Sequence, residues 1–259
     1  MLAATRVLQR NLLVYRRTYR GSIFSSFVTP LLYLTAMGLG LGQLVTADTS
    51  TLPGGDYLSF LGPGIMAATC MQSAVFESTF PIMGKIMWRR NYEAMLATPI
   101  EVRHILGGEL LWIAFRMVLI SSVFLAVLTL FRIPTSFLAL LAIPSAVLLG
   151  VAFSASIISF AATQKNDSGF AALFRFVINP LFLFSGTFFP LSTLPPSLAW
   201  FEWVAAATPL YHGVALIRGV VLDDAATLAG WPWHVAYLVT FAAAFAVLAR
   251  RLLSRRLVK

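Results

Sequence analysis

Several stretches of this chain run for about twenty residues with almost nothing but apolar side chains, the length a helix needs to cross the hydrocarbon core of a bilayer. Of its 259 residues, 59% are hydrophobic and only 11% charged. A water-soluble domain carries about a quarter charged residues and could not cover its surface with so few. The expected fold class is therefore an all-α polytopic membrane protein. No polar stretch is long enough to build a separate soluble domain, so residues 1–259 read as a single transmembrane domain.

Six spans are expected, at about 23–45, 57–83, 105–130, 137–162, 169–189 and 233–253. The first contains Gly38 and Gly42, whose small-xxx-small spacing lets helices approach closely. Ahead of it, Leu8, Leu12, Tyr15 and Tyr19 form one helical stripe, with Arg6, Arg10 and Arg17 on the other side. That pattern suits a helix lying in the membrane interface over residues 1–20. The basic start has no continuous apolar core and no early small-residue cleavage site, so no cleaved signal peptide is expected. Residues 190–230 are apolar yet broken by Pro195, Pro196 and Pro209, and do not read as one simple span.

Orientation follows from the cations. With the N-terminus in the cytoplasm, fifteen of the nineteen Lys and Arg fall inside, against Arg132 and Arg218 outside and Arg116 and Arg175 within spans. The reverse topology would break the positive-inside rule. Both termini are thus expected in the cytoplasm of a multi-pass inner (plasma) membrane protein. The net charge of +9 reflects this bias and adjacency to anionic lipid. No nucleic-acid partner is expected.

Little in the chain is reactive. The single cysteine, Cys70, excludes an intrachain disulfide or a cysteine metal cluster. The three histidines, His104, His212 and His234, are scattered, and no metal site is expected. There is no GxxxxGK[ST] loop, so ATP cannot be cradled in the P-loop manner. The ionisable residues inside spans are Glu77, Glu109, Arg116 and Arg175, which are costly there and call for a reason. Glu109 and Arg116 lie seven apart on one helix face, and pairing among the four as a polar cluster is feasible. A proton or substrate relay is the alternative, but no chain of carboxylates continues across the membrane.

The stretch 84–104, GKIMWRRNYEAMLATPIEVRH, is the longest strongly charged interior segment. It predicts a short helix carrying Glu93, Met95 and Leu96, ended by Thr98-Pro99. The run YEAMLATPIEVRHILGGELLW resembles the corresponding loop and third-span start of ABC-2-type permeases, especially the nodulation lipo-oligosaccharide export and daunorubicin-resistance branches. The run FLFSGTFFPLSTLPPSLAWFEWVAAATPLYHGVALIRGVVL is similar to their fifth span, external re-entrant segment and closing Pro-Leu-x-His-Gly stretch.

That resemblance implies a permease subunit of an ATP-driven exporter, with ATP and Mg bound by a separate ATPase chain and no cofactor here. It implies a coupling helix that docks on the ATPase, formed by Arg89, Arg90, Asn91, Tyr92, Glu93, Leu96, Ala97, Thr98 and Pro99. It also implies a re-entrant segment at 190–230 and a second permease copy, or a homologous permease, completing the pathway. Phe182, Phe184, Phe188 and Phe189, near the outer end, are candidates for an external gate. A proton-driven secondary transporter is the rival function, and would need a carboxylate such as Glu77 near mid-membrane. A membrane-embedded lipid enzyme would need clustered Asp, His or Ser at one face, which the sequence does not supply.

Overall fold

A backbone crossing hydrocarbon must satisfy its own hydrogen bonds, and the apolar stretches of this chain do so as helices. The computed structural model describes residues 2–36, 53–191, 195–198 and 200–258, and among these there is no strand. The elements are α1 (Leu2–Thr35), α2 (Tyr57–Trp88), α3 (Asn91–Leu96), α4 (Val102–Leu130), α5 (Phe137–Thr163), α6 (Ser168–Phe184), α7 (Trp200–Ala206), α8 (Pro209–Leu222), α9 (Ala225–Ala229) and α10 (Trp231–Leu257). Four of them, α2, α4, α5 and α10, are long and apolar enough to cross a membrane, and α7 with α8 forms a fifth such unit bent by 83°.

This differs from six simple spans in three places. The first expected span is described only to residue 36, and the glycines at 38, 40 and 42 lie outside the described residues. The fifth expected span ends early. Helix α6 stops at Phe184 because Gly186 takes a left-handed φ of 78°, and its seventeen residues reach about 25 Å, short of a roughly 30 Å core. The third difference is at the N-terminus. A separate interfacial helix is not drawn: α1 runs unbroken for 34 residues, with no proline or Gly-Gly pair near residue 20 to stop it. It lies along α4, with Ala4 and Val7 against Gly108, and with Leu34 near Gly62 and Leu128 at the far end.

The core is organised around α5, which packs against α2, α4, α8 and α10. Close approach depends on small residues. A Cβ on Gly108 would come within 2.5 Å of Val7 Cβ, and one on Gly64 within 2.8 Å of the Thr187 carbonyl. Helix α8 starts where Thr208 caps it and Pro209 fills the first turn, a position that needs no N–H. Twelve of its fourteen residues are buried, so its apolar character is explained by protein, not lipid.

The two ends of the bundle are unlike. One gathers the start of α1, the end of α2, the start of α4 and the end of α10, and with them Arg10, Lys85, Arg89, Arg103 and Arg256. It is called the basic end below. The opposite end gathers α7, α9 and the start of α10, and exposes Trp200, Trp203, Trp231 and Trp233; on the basic end Trp88 alone is comparably exposed.

Candidate functional site

At the basic end α2 does not stop at the expected loop boundary of residue 84. It continues as a π-helical turn through Trp88, and the chain reverses at Arg90, which sits left-handed at φ 46°. The short helix α3 follows. The Thr98 hydroxyl donates to the Met95 carbonyl at 2.6 Å, and Pro99 prevents continuation. The next helix, α4, begins at Glu101, whose N–H donates to His104 Nδ1 at 3.2 Å.

Helix α3 is two-faced. Tyr92 is buried, and Met95 and Leu96 pack on the core, whereas Glu93, Ala97, Thr98 and Pro99 are exposed, as are Arg89 and Arg90 before it. Its buried face points to one carboxylate. Glu109, 2% exposed, receives Lys85 Nζ at 2.8 and 2.6 Å on its two oxygens and Asn11 Nδ2 at 3.1 Å. Lys85 Nζ also donates to Asn11 Oδ1 at 3.4 Å. The Tyr92 hydroxyl faces the same carboxylate, outside normal hydrogen-bonding geometry. Burial first, and the Glu109 charge second, hold its phenol well above the usual tyrosine range, so it remains protonated. Helices α1, α2, α3 and α4 thus converge on Glu109.

A second pair lies further into the bundle. Arg116 Nε is 3.2 Å from Glu77 Oε1, and Trp112 Nε1 donates to Glu77 Oε2 at 3.2 Å. The Arg116 guanidinium stands over the Tyr15 ring, 5.1 Å from its centre. Glu77 is about 30 Å along α2 from Tyr57, in the half of that helix nearer the basic end. Between α1, α2 and α4 the Glu77–Arg116 pair and Lys85 border a cleft of about 610 Å³.

The four intramembrane ionisable residues therefore do not form one cluster. Register sets Glu77 against Arg116 and gives Glu109 to Lys85, a residue the sequence placed in the loop. Arg175 is exposed on α6 and makes no ion pair among the described residues. Spacing within one helix could group Glu109 with Arg116 but could not show which neighbour each would face. Asn11, Lys85 and Trp112 carried no sequence signal of their own beyond lying one helical stripe away from the expected residues.

At the opposite end the proposed gate phenylalanines separate into two contacts. Phe182 meets Phe188 edge-on at 5.0 Å, and Phe184 meets Phe201 of α7 at 5.3 Å. Phe189 is half-buried and belongs to neither. Arg218 of α8, read from sequence as an external loop cation, is buried. Its Nε donates to the Phe60 carbonyl at 3.2 Å and its Nη2 to the Gly186 and Thr187 carbonyls at 2.9 and 3.4 Å, and its guanidinium covers the Phe60 ring at 3.8 Å. Nearby, His212 and His234 approach through their Nδ1 atoms at 2.7 Å. No group of three His, Cys, Asp or Glu that could hold a metal occurs among the described residues.

Apolar helices of membrane-spanning length, tied together by buried polar side chains, define a polytopic helical membrane protein. The chain belongs to the ABC-2 type transporter family, whose model matches residues 4–222. It is 30% identical to nodulation protein J of Rhizobium leguminosarum bv. viciae over 254 residues, covering 98% of this chain and 94% of that protein. It is 32% identical to nodulation protein J of Bradyrhizobium diazoefficiens, with 96% and 94% coverage. A more distant relative is the inner membrane transport permease YadH of Escherichia coli, 23% identical with 74% of each chain covered.

Proposed function

We propose that the chain is the permease subunit of an ATP-binding-cassette exporter, and that α3 is the coupling helix on which a separate ATPase subunit docks. The observation that carries this reading is the convergence on Glu109. A docking helix transmits force only if it is firmly seated on the spans, and α3 is seated by buried Tyr92, beside the carboxylate that holds α1, α2 and α4, and by Met95 and Leu96 packed on the core. Its exposed face, with Glu93, Ala97, Thr98 and Pro99 and the preceding Arg90, is left for the partner. ATP and Mg belong to that partner, because this chain has no phosphate-binding loop. Two permease chains, identical or homologous, would enclose the pathway, with the basic end and both termini in the cytoplasm. The cargo is an amphipathic molecule: a drug, a lipid or a lipid-linked saccharide. The family and the name of the relative YadH, an inner membrane transport permease, support a transport role, and none of the relatives' names identifies the cargo.

Charge reversal of exposed Glu93 tests the reading. The Glu93→Arg chain is expected to insert and fold normally, to lose co-purification with the ATPase, and to abolish ATP-dependent export from inverted vesicles. Full export by that chain would overturn the coupling role.

A further inference from the structure

The cleft between α1, the end of α2 and α4 carries more positive charge than its own carboxylates neutralise. Arg10, Lys85, Arg89 and Arg116 all line it. Lys85 and Arg116 are matched by Glu109 and Glu77. No carboxylate among the described residues pairs with Arg10 or Arg89. Arg10 is half-buried, and the oxygens it meets are neutral amides: Asn11 Oδ1 at 3.4 Å and, with the Asn91 amide turned to satisfy both its neighbours, Asn91 at 2.6 Å. A guanidinium has five N–H donors in a planar fork, so two such groups at one cleft leave most of their donors available to an anion.

The remaining wall gives the anion its chemistry. Trp88 lines the same cleft and is 63% exposed, and Trp112 and Tyr15 form its inner side. Indole rings with one wet edge sit at headgroup depth in a bilayer. A volume of about 610 Å³ is that of a site for a small molecule or headgroup. A soluble anion would use the arginines but leave the exposed indole without a role; a lipid phosphate uses both.

We propose that this cleft binds the phosphate headgroup of an anionic lipid taken from the leaflet at the basic end. Arg10 and Arg89 fork the phosphate oxygens, and Trp88 covers the first carbons of the acyl chains. Lys85 lines the cleft and stays paired with Glu109 behind it, so the bound phosphate adds charge balance without opening the ion pair. The site deepens the permease reading by naming a lipid phosphate as the group held beside the coupling helix, but the binding itself does not require the ATPase.

The test is native mass spectrometry of the full chain released from nanodiscs of mixed phosphatidylglycerol and phosphatidylcholine. The wild-type chain retains phosphatidylglycerol in preference to phosphatidylcholine. Arg10→Gln and Arg89→Gln each weaken that retention about fivefold, the effect of one interfacial cation, and Arg255→Gln, which removes an exposed cation from the end of α10, leaves it unchanged. Inorganic phosphate at millimolar concentration does not displace the lipid. Equal retention of the two lipids, or variants indistinguishable from wild type, would overturn the proposal. So would ready displacement by inorganic phosphate, which would mark a site for a soluble anion. The Glu93→Arg chain keeps its phosphatidylglycerol, so the coupling reading and the lipid site fail in separate experiments.

Discussion

The two ends of this bundle both bury positive charge, and they balance it in opposite ways. At the basic end Lys85 faces Glu109 and Arg116 faces Glu77, both side-chain carboxylates, although half-buried Arg256 there binds the Ala161 and Ala162 carbonyls. At the other end Arg218 pairs with no carboxylate among the described residues and is held by three backbone carbonyls and an aromatic face. Side-chain pairs span different helices and can exchange partners by a change of rotamer. A guanidinium bound to the carbonyls of Phe60, Gly186 and Thr187 can move only if the backbone of α2 or the turn after α6 moves with it. The ion pairs at the basic end therefore depend on side-chain rotamers, and the Arg218 contacts depend on where the backbones of α2 and of the turn after α6 lie.

The sharpest way to break the comparison is at Arg218. Arg218→Met leaves buried carbonyls without their donor, and each such loss costs about 1–3 kcal/mol. It is expected to destabilise the fold by about 3–5 kcal/mol, seen as a large fall in the thermal unfolding midpoint in detergent. Arg218→Lys recovers only part of this, since one ammonium on a flexible stem cannot reproduce the fork. An unchanged midpoint would show that the arginine is not a brace.

At the basic end a double-mutant cycle gives the next largest effect. Lys85→Met and Glu109→Gln alone each leave a partly buried partner uncompensated and should cost about 2–4 kcal/mol. The double variant should cost less than their sum, with a coupling energy of about 1–3 kcal/mol. Additive losses would mean that the pair is not a unit. The smallest effect is expected at Arg103 and Glu101, 2.8 Å apart but more than half exposed. Arg103→Gln should shift stability by less than about 0.5 kcal/mol.

Much of the architecture was legible in the residues because it depends on local rules. Thr98-Pro99 marked the end of α3, and the long apolar runs marked α2, α4, α5 and α10, whereas Pro209, read as a break, stands in the first turn of α8. What was not legible depends on neighbours. Lys85 looks like one more loop cation, yet α2 continues past it and turns it inward. Arg218 sits in a broken apolar segment that reads as exposed, and only the burial of α8 shows otherwise. The expected four-residue cluster failed because helix-face spacing orders residues along one helix and says nothing about the register of the next. The break between an interfacial helix and a first span was inferred from composition, and composition changes along α1 without interrupting its hydrogen bonding.

The exposed tryptophans add a consequence of another kind. Indole rings resist displacement from the water–lipid boundary in either direction. Trp200, Trp203, Trp231 and Trp233 give one end of the molecule four such moorings, and Trp88 gives the other end one. An end held by four such rings resists displacement more than an end held by one, so on the coupling reading proposed above a push at α3 would tilt the helices about the tryptophan-rich end.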